Sequence, residues 1–276
     1  MQVSSVSIDI GIREIRQLTG LIKEKYGVDF TEYALTSFKR RVEGFLIANK
    51  YGMDTLLKKL EAKEFLDHFV GRIAVGATEL FRDPTFWILL KTIYLTNILK
   101  EQPKAKIWLP MCASGEEYYS LAILLKESGW SERADVYVSC MSNETIETIK
   151  RGWMEYDKLD ISAKNYTRFQ GTGQITDYYK KLGNDIAFDK SLFTRTQFFR
   201  EGLEFECELP YMHLILFRNQ LIYFTPTLQY RVCDKLCNKL TPKGLLALGI
   251  LEEMDLNINS KFTAMDKQES IYQRKM

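Results

Sequence analysis

The chain has 276 residues and carries 38 Lys and Arg against 36 Asp and Glu, a formal net charge of +2. A balance this close to neutral gives no case for a nucleic-acid-binding protein, which needs a basic surface to meet phosphates. Hydrophobic residues make up 46% and charged residues 27%, so the chain can bury a full core as one large domain or two modest ones.

The first part of the chain has helical patterning throughout. Apolar residues from Ile12 to Ile22 recur at the spacing of one helix face, and Gly27 stands where such a helix would end. No alternating strand pattern interrupts this region, so the sequence predicts an all-helical domain over residues 1–83. The further helices expected within it cover residues 31–48, 54–59 and 61–70.

Asp83 and Pro84 predict the start of a longer helix that runs to about residue 99. Proline is tolerated in the first turn of a helix, and an aspartate just before it can cap the exposed amides. We therefore expect a linker helix over residues 84–102 between two domains.

Beyond residue 102, strand patterns alternate with helix patterns. This alternation is typical of crossover units and predicts an α/β domain over residues 103–276, with a mainly parallel, doubly wound sheet covered on both faces. The stretch from 153 to 210 is too long for one loop and predicts a small inserted subdomain at about 163–195. Strands are expected at 105–111, 136–138, 213–217 and 245–250, and helices at 116–127, 144–151 and 226–239.

The five cysteines are odd in number and include no C-x-x-C pair, which predicts free thiols rather than a disulfide framework. Cys233 and Cys237 share a helix face, but two thiols with few histidines make a poor metal site, so we expect them to pack and expect no metal. The N-terminus lacks signal-peptide features, and no apolar run approaches the roughly 20 residues that span a bilayer. These features predict a cytoplasmic protein.

The first strand-turn-helix, residues 107–125, is the first place to look for a ligand, because open α/β sheets bind ligands beyond the carboxyl ends of their strands. It lacks the G-x-G-x-x-G pattern and instead has Gly115 followed by Glu116 and Glu117. Carboxylates at a helix N-terminus argue against a phosphate ligand there. A cationic or hydroxyl-rich ligand is one interpretation, and simple helix-capping charge is the other.

Several segments resemble motifs of the CheR-type chemotaxis methyltransferases, in the family's order and over nearly the whole chain. Residues 112–120 (CASGEEYYS) are similar to C-S-T-G-E-E-P-Y-S, with Tyr118 in place of the proline. The others are 78–84 (TELFRDP) for T-x-F-F-R-D, 217–224 (FRNQLIYF) for C-R-N-V-L-I-Y-F, 243–249 (KGLLALG) for G-G-x-L-x-L-G, Glu252 for the acid after it, and 170–173 (QGTG) for R-G-T-G.

This resemblance implies a Rossmann-like enzyme that uses S-adenosylmethionine (SAM), yields S-adenosylhomocysteine, and methylates glutamates on chemoreceptors or related signalling proteins. Methyl transfer from a sulfonium to an ionised carboxylate needs positioning rather than a general base. The implied catalytic residues are Arg82, between cofactor and substrate, and Tyr223, at the methyl-transfer site. A surface ion pair for Arg82 and a core position for Tyr223 are the alternatives.

The resemblance also implies a set of cofactor contacts. Thr78 would hold the amino-acid end of SAM, and Glu117 its amino group. The full set of implied cofactor-binding positions is Thr78, Arg82, Met111, Glu117, Cys140, Gln197, Phe198, Arg218 and Asn219.

Some of these positions depart from the family pattern. Cys140 stands where the family has an acid for the ribose hydroxyls, and a thiol is a weak hydrogen-bond partner. Gln197 and Phe198 replace the asparagine and leucine that bracket the adenine, and Gly76 replaces an asparagine. These departures support an alternative hypothesis, a catalytically weak or inactive binding module in a signalling complex. Ser142 or Asn143 is a candidate to compensate at the ribose.

Two features point to a protein partner. Lys39, Arg40 and Arg41 form a basic run in a predicted helix, which by resemblance would meet an acidic receptor helix. A solvated face is the alternative. The insert, over residues 166–189, could pair edge-on with a receptor tail.

Overall fold

The computed structural model describes residues 10–74, 78–155, 159–254, 258 and 260–276. Its first part forms four helices, and α1 ends next to Gly27, which adopts the left-handed conformation expected of a glycine there (φ 75°). α2 begins later than expected because Tyr33 pairs with Phe224 in an isolated antiparallel bridge. The four helices are α1 (Ile12–Tyr26), α2 (Leu35–Asn49), α3 (Met53–Lys59) and α4 (Lys63–Ile73).

The expected linker helix is present and contains a π-helical turn. α5 (Pro84–Leu89) passes into that turn (Leu90–Leu95) and then into α6 (Thr96–Glu101). The expected capping role of Asp83 is wrong, because its side chain makes no cap hydrogen bond and pairs instead with Arg218. An ion pair with a buried guanidinium is stronger than a bond to a neutral amide.

A seven-stranded sheet follows, made of β1 (Ala105–Leu109), β2 (Ala134–Cys140), β6 (Thr196–Arg200), β7 (Met212–Leu216), β8 (Leu240–Ala247), β9 (Phe262–Asp266) and β10 (Ile271–Arg274). The spatial order is β6-β2-β1-β7-β8-β10-β9. The strands from β6 to β8 are parallel, and β10 is antiparallel to both its neighbours. The predicted α/β fold class, a helical region followed by a Rossmann-like sheet, is confirmed. The helices after β1, β2 and β7 are α7 (Glu116–Glu127), α8 (Asn143–Arg151) and α10 (Pro226–Lys239).

The segment between α8 and β6, called the insert from here on, contains α9 (Leu159–Phe169) and a separate antiparallel sheet of order β3-β5-β4, with β3 (Trp153–Glu155), β4 (Tyr179–Leu182) and β5 (Asp185–Phe188). The sequence did not predict β6, which returns the chain to the main sheet. Its residues are half-buried or exposed, so it carries no apolar run that would mark a strand.

The two faces of the main sheet belong to two buried apolar clusters. Trp108 of β1 belongs to one cluster, and its neighbours Ile107 and Leu109 belong to the other, as strand alternation requires. The buried apolar residues of α1–α4 belong to the cluster of Trp108, so the apolar interior is continuous between the helical region and one face of the sheet. In the described part of the chain, no helix is both long and apolar enough to cross a membrane.

Candidate active site

A cleft opens at the carboxyl ends of the central strands β1 and β7. It encloses about 670 Å³ of empty space, a figure that includes open solvent at its mouth. Three segments form it: the stretch before α5, the turn after β1 and the loop after β7. Six of the predicted site residues line this cleft together: Thr78, Arg82, Glu117, Arg218, Asn219 and Tyr223.

The turn after β1 is shaped by Gly115, which precedes α7 with a φ of 96°. A Cβ at this position would lie 3.0 Å from the Tyr119 ring and 3.1 Å from Ile149. The turn is also tied to β2, because the Cys112 amide donates to the Ser139 carbonyl at 2.7 Å. This packing fixes the start of α7 and so places Glu117 in the cleft.

Arg218 is the charge that joins the three segments. Its buried guanidinium lies 2.6 Å from Asp83 and 3.4 Å from Glu117, and it donates to the Arg82 carbonyl at 3.4 Å. It also lies 4.0 Å from the centre of the Phe86 ring. Desolvation raises the pKa of Glu117, and the opposing attraction of Arg218 is the smaller effect.

Glu252 shapes the loop after β7 from beneath. Its carboxylate accepts hydrogen bonds from the backbone amides of Asn219 at 2.7 Å, Gly249 at 2.7 Å and Ile222 at 3.2 Å. Burial raises the pKa of Glu252, and these amides oppose the shift. The family resemblance identified this acid, but the sequence did not predict that it would hydrogen-bond to the backbone of two loops.

Tyr223 lines the cleft and is contacted by residues of the N-terminal helical region. The Arg41 guanidinium lies 4.0 Å from the centre of its ring, and Arg41 also donates to the Ile73 carbonyl at 3.1 Å. The Tyr223 carbonyl accepts from the Ala34 amide at 2.8 Å. Tyr223 is therefore a cleft residue rather than a core aromatic like its buried neighbour Phe224.

The expected single basic face on α2 needs correction. Consecutive residues of a helix point about 100° apart. Arg41 faces Tyr223, Arg40 is exposed, and Lys39 lies 3.7 Å from Glu43. Only Lys39 and Arg40 remain candidates for an outward partner surface.

The remaining predicted cofactor residues lie outside the lining of this cleft. Met111 and Cys140 are buried, and the Cys112 thiol hydrogen-bonds with that of Cys140, which raises the pKa of Cys112. Gln197 is exposed on β6, and Phe198 is half-buried there. Their cofactor contacts stay predictions.

Tyr118, at the family's proline position, fills space beside β6. Its ring lies 5.4 Å from that of Phe198, and its hydroxyl donates to Thr196 at 2.9 Å. Phe198 is thus packed against α7 and does not plug the cleft. Met141 does not plug it either, because it is buried with its sulfur 3.8 Å from the Tyr33 hydroxyl.

The candidates to compensate at the ribose already have protein partners. Ser142 caps α8 by accepting from the Thr145 amide at 3.1 Å. Asn143 donates to Asp67 of α4 from its backbone amide at 2.9 Å and from its side-chain amide at 3.4 Å. Gly76, the third departure from the family pattern, lies outside the described residues.

Comparison with known proteins agrees with this architecture. Residues 76–271 match a family model described as "CheR methyltransferase, SAM binding domain". The chain is 28% identical over 267 residues to the putative methyltransferase Cher3 of Pseudomonas putida, a match that covers 95% of this chain and 96% of that one. It is 27% identical over 246 residues to a chemotaxis protein methyltransferase of Listeria innocua, covering 86% and 88%. A chemotaxis protein methyltransferase of Borreliella burgdorferi is 21% identical over 274 residues, covering 94% of each chain.

The family match includes most of the chain and every predicted cofactor residue. It starts just before Thr78 and runs past Asn219 and Glu252, so it spans all three segments of the cleft. The chain belongs to the CheR methyltransferase family, and SAM is its cofactor.

Proposed function

We propose that this protein transfers the methyl group of SAM to a glutamate carboxylate on a chemoreceptor or a related signalling protein. The observation that carries the proposal is the contrast between the two arginines of the cleft. Arg218 is buried and paired with Asp83 and Glu117. Arg82 is half-buried, and within the described part of the chain its guanidinium makes no ion pair. It is available to hold the carboxylate of a methyl acceptor.

The residues of the cleft fit the amino-acid end of SAM. Glu117 offers a carboxylate for the ammonium, and Thr78 offers a hydroxyl. Arg218 keeps a buried Nε–H without a hydrogen-bond partner among the described residues. A buried donor without a partner is costly, so a bound acceptor group would relieve that cost.

The chain's own residues mainly position the reactants. When bound, SAM supplies an activated methyl group on a sulfonium. Arg82 would orient the acceptor carboxylate, which is already ionised at neutral pH and needs no base. Tyr223 would line the transfer path, and Arg41 would hold its ring in place while adding positive charge near the mouth. The reaction therefore depends on geometry and charge rather than on proton transfer.

The names of the relatives support a chemotactic acceptor. The Listeria and Borreliella proteins are called chemotaxis protein methyltransferases. Lys39 and Arg40 would contact an acidic receptor helix, and the insert would offer the edge of β3 or β4 to an extended tail. A cytoplasmic location belongs to the same proposal, in keeping with five free cysteines.

The test uses purified protein, SAM with a radiolabelled methyl group, and the signalling domain of a chemoreceptor from the same organism. We expect incorporated label that mild base releases as methanol, because glutamate methyl esters hydrolyse under these conditions. The matched control is a receptor domain with its methyl-accepting glutamates replaced by glutamine, which should take up no label. Label that resists base would contradict a carboxylate acceptor. Binding of S-adenosylhomocysteine without any transfer would support the inactive binding module instead.

A further inference from the structure

Gln220 is a buried residue of the cleft with an unsatisfied acceptor. It is 8% exposed, it lines the cleft, and its Oε1 has no hydrogen-bond partner among the described residues. Buried polar atoms in native proteins almost always have a partner, and an orphan costs free energy. The related family motif reads C-R-N-V-L-I-Y-F, so the amide stands where that pattern has an apolar valine.

A second orphan lies two residues earlier in the same loop. The Nε of Arg218 is a buried donor without an acceptor, and Arg218 lines the same cleft. An unpaired donor and an unpaired acceptor in one cleft are complementary to a ligand that carries both an anionic and a cationic group. The α-amino acid end of SAM has this combination, a carboxylate beside an ammonium.

The chemistry of the reactants limits which group can donate a hydrogen bond to Gln220. An ionised glutamate carboxylate has no hydrogen to donate, so the proposed methyl acceptor cannot satisfy Oε1. The ribose hydroxyls are expected near Cys140 and the adenine near Gln197, and neither residue lines this cleft. The ammonium carries three donors and needs more acceptors than the carboxylate of Glu117, which is partly engaged by Arg218 at 3.4 Å.

We propose that the Gln220 side-chain oxygen accepts a hydrogen bond from the α-ammonium of SAM and, with Glu117, selects for the intact amino-acid end of the cofactor. The proposal rests on cofactor binding in this cleft. Gln220 is then a specificity residue for the cofactor.

Calorimetric titration with S-adenosylhomocysteine tests the contact directly, without turnover. Gln220→Met keeps the size of the side chain and removes its polar atoms. We expect this variant to bind S-adenosylhomocysteine on the order of tenfold more weakly than the unchanged protein. We expect less than a twofold change with the analogue whose α-amino group is replaced by hydrogen, because the donor is then missing. Gln220→Glu retains an acceptor and should bind S-adenosylhomocysteine within about threefold of the unchanged protein.

Two controls separate this contact from a folding defect. Gln268→Met makes the same exchange at an exposed turn residue and should leave both affinities unchanged. Unliganded Gln220→Met should melt no lower than the unchanged protein, because it loses an unsatisfied buried atom. If the methionine variant does not fold, Gln220→Val, which restores the family's residue, replaces it.

Each outcome decides the question. Equal affinity of Gln220→Met and the unchanged protein for S-adenosylhomocysteine overturns the inference and leaves the proposed function standing. An equal loss for both ligands also overturns it, because the contact would then not involve the ammonium. A higher KM for the protein acceptor with unchanged cofactor affinity would place Gln220 on the acceptor side and overturn it. No binding by the unchanged protein overturns this inference together with the proposed function.

Discussion

Asp83 and Arg218 form an ion pair between the segment that carries Arg82 and the loop that follows β7. The two side chains are 2.6 Å apart, and that of Arg218 is only 2% exposed. They are 135 residues apart in the chain. Because Arg218 also donates to the Arg82 carbonyl, the pair fixes the backbone from which Arg82 reaches into the cleft.

Asp83→Asn should therefore destabilise the fold and loosen the cleft. Without the Asp83 carboxylate, the buried charge of Arg218 is only partly compensated, by Glu117. We expect a loss of about 1–3 kcal/mol in the free energy of unfolding, measured by urea denaturation. Asp135→Asn breaks the partly exposed pair with Arg195 and should cost less than about 1 kcal/mol. Equal losses in the two variants would contradict this account.

Arg82→Ala should separate binding from catalysis. If Arg82 orients the acceptor carboxylate, its loss should lower kcat by about 100-fold. The affinity for S-adenosylhomocysteine, measured by calorimetry, should change only a few-fold. Arg82→Lys retains the charge but not the bidentate geometry, so its kcat should lie between those of the unchanged protein and Arg82→Ala. Turnover near the normal rate in Arg82→Ala would refute the catalytic role.

Arg41→Ala should affect the protein through Tyr223. The substitution removes the guanidinium above that ring and the bond to the Ile73 carbonyl, so we expect a stability loss of about 1–2 kcal/mol and slower methyl transfer. Arg40→Ala is the matched control at the exposed neighbour and should change stability by less than about 0.5 kcal/mol. Thermal unfolding and initial rates measure both effects. A greater loss of turnover in Arg40→Ala would shift the proposed acceptor contact to the outer surface of α2.

Gly115→Ala should show how tightly the turn after β1 is packed. The new Cβ would press on Tyr119 and Ile149 and would hold an unfavourable positive φ, so we expect about 2–3 kcal/mol of destabilisation. Gly129 also has a positive φ, but a Cβ there meets nothing within 4 Å. Gly129→Ala should thus cost only about 1 kcal/mol. Denaturant titration of the pair isolates the steric contribution of the cleft turn.

The raised pKa of Glu117 predicts a pH dependence of stability. The folded state holds this proton more tightly than the unfolded state, whose glutamate has its usual pKa of 4.5. Between pH 4.5 and the pKa of Glu117 in the folded protein, the folded state therefore binds more protons than the unfolded state. Glu117 contributes its full stabilisation below pH 4.5, and this contribution is lost as the pH rises through the folded pKa. Glu117→Gln should flatten the slope of unfolding free energy against pH in this window. An unchanged slope would mean that another group takes up the proton. Glu252 is the next candidate, because its pKa is also raised.

Local patterns were enough to predict most helices and the central strands. α7 and α10 have the bounds that their apolar spacing and terminal residues predict, because both signals act within a few residues of the chain. The strand β6 escaped prediction because its stability comes from pairing with β2, and its own residues are half-buried or exposed. Pairing with a strand more than fifty residues away imposes no pattern of apolar residues on β6 itself.

The sequence by itself determined the family, the order of the motifs, and which side chains could hold charge near a sulfonium cofactor. Only the tertiary structure decided which of those side chains share one cleft. It also decided that Arg41 turns towards Tyr223, that Asp83 pairs with Arg218 instead of capping α5, and that Gln220 keeps an unsatisfied oxygen. The physical reason is that burial and partner distance are properties of packing between distant segments, whereas a motif records only the type and spacing of neighbouring residues.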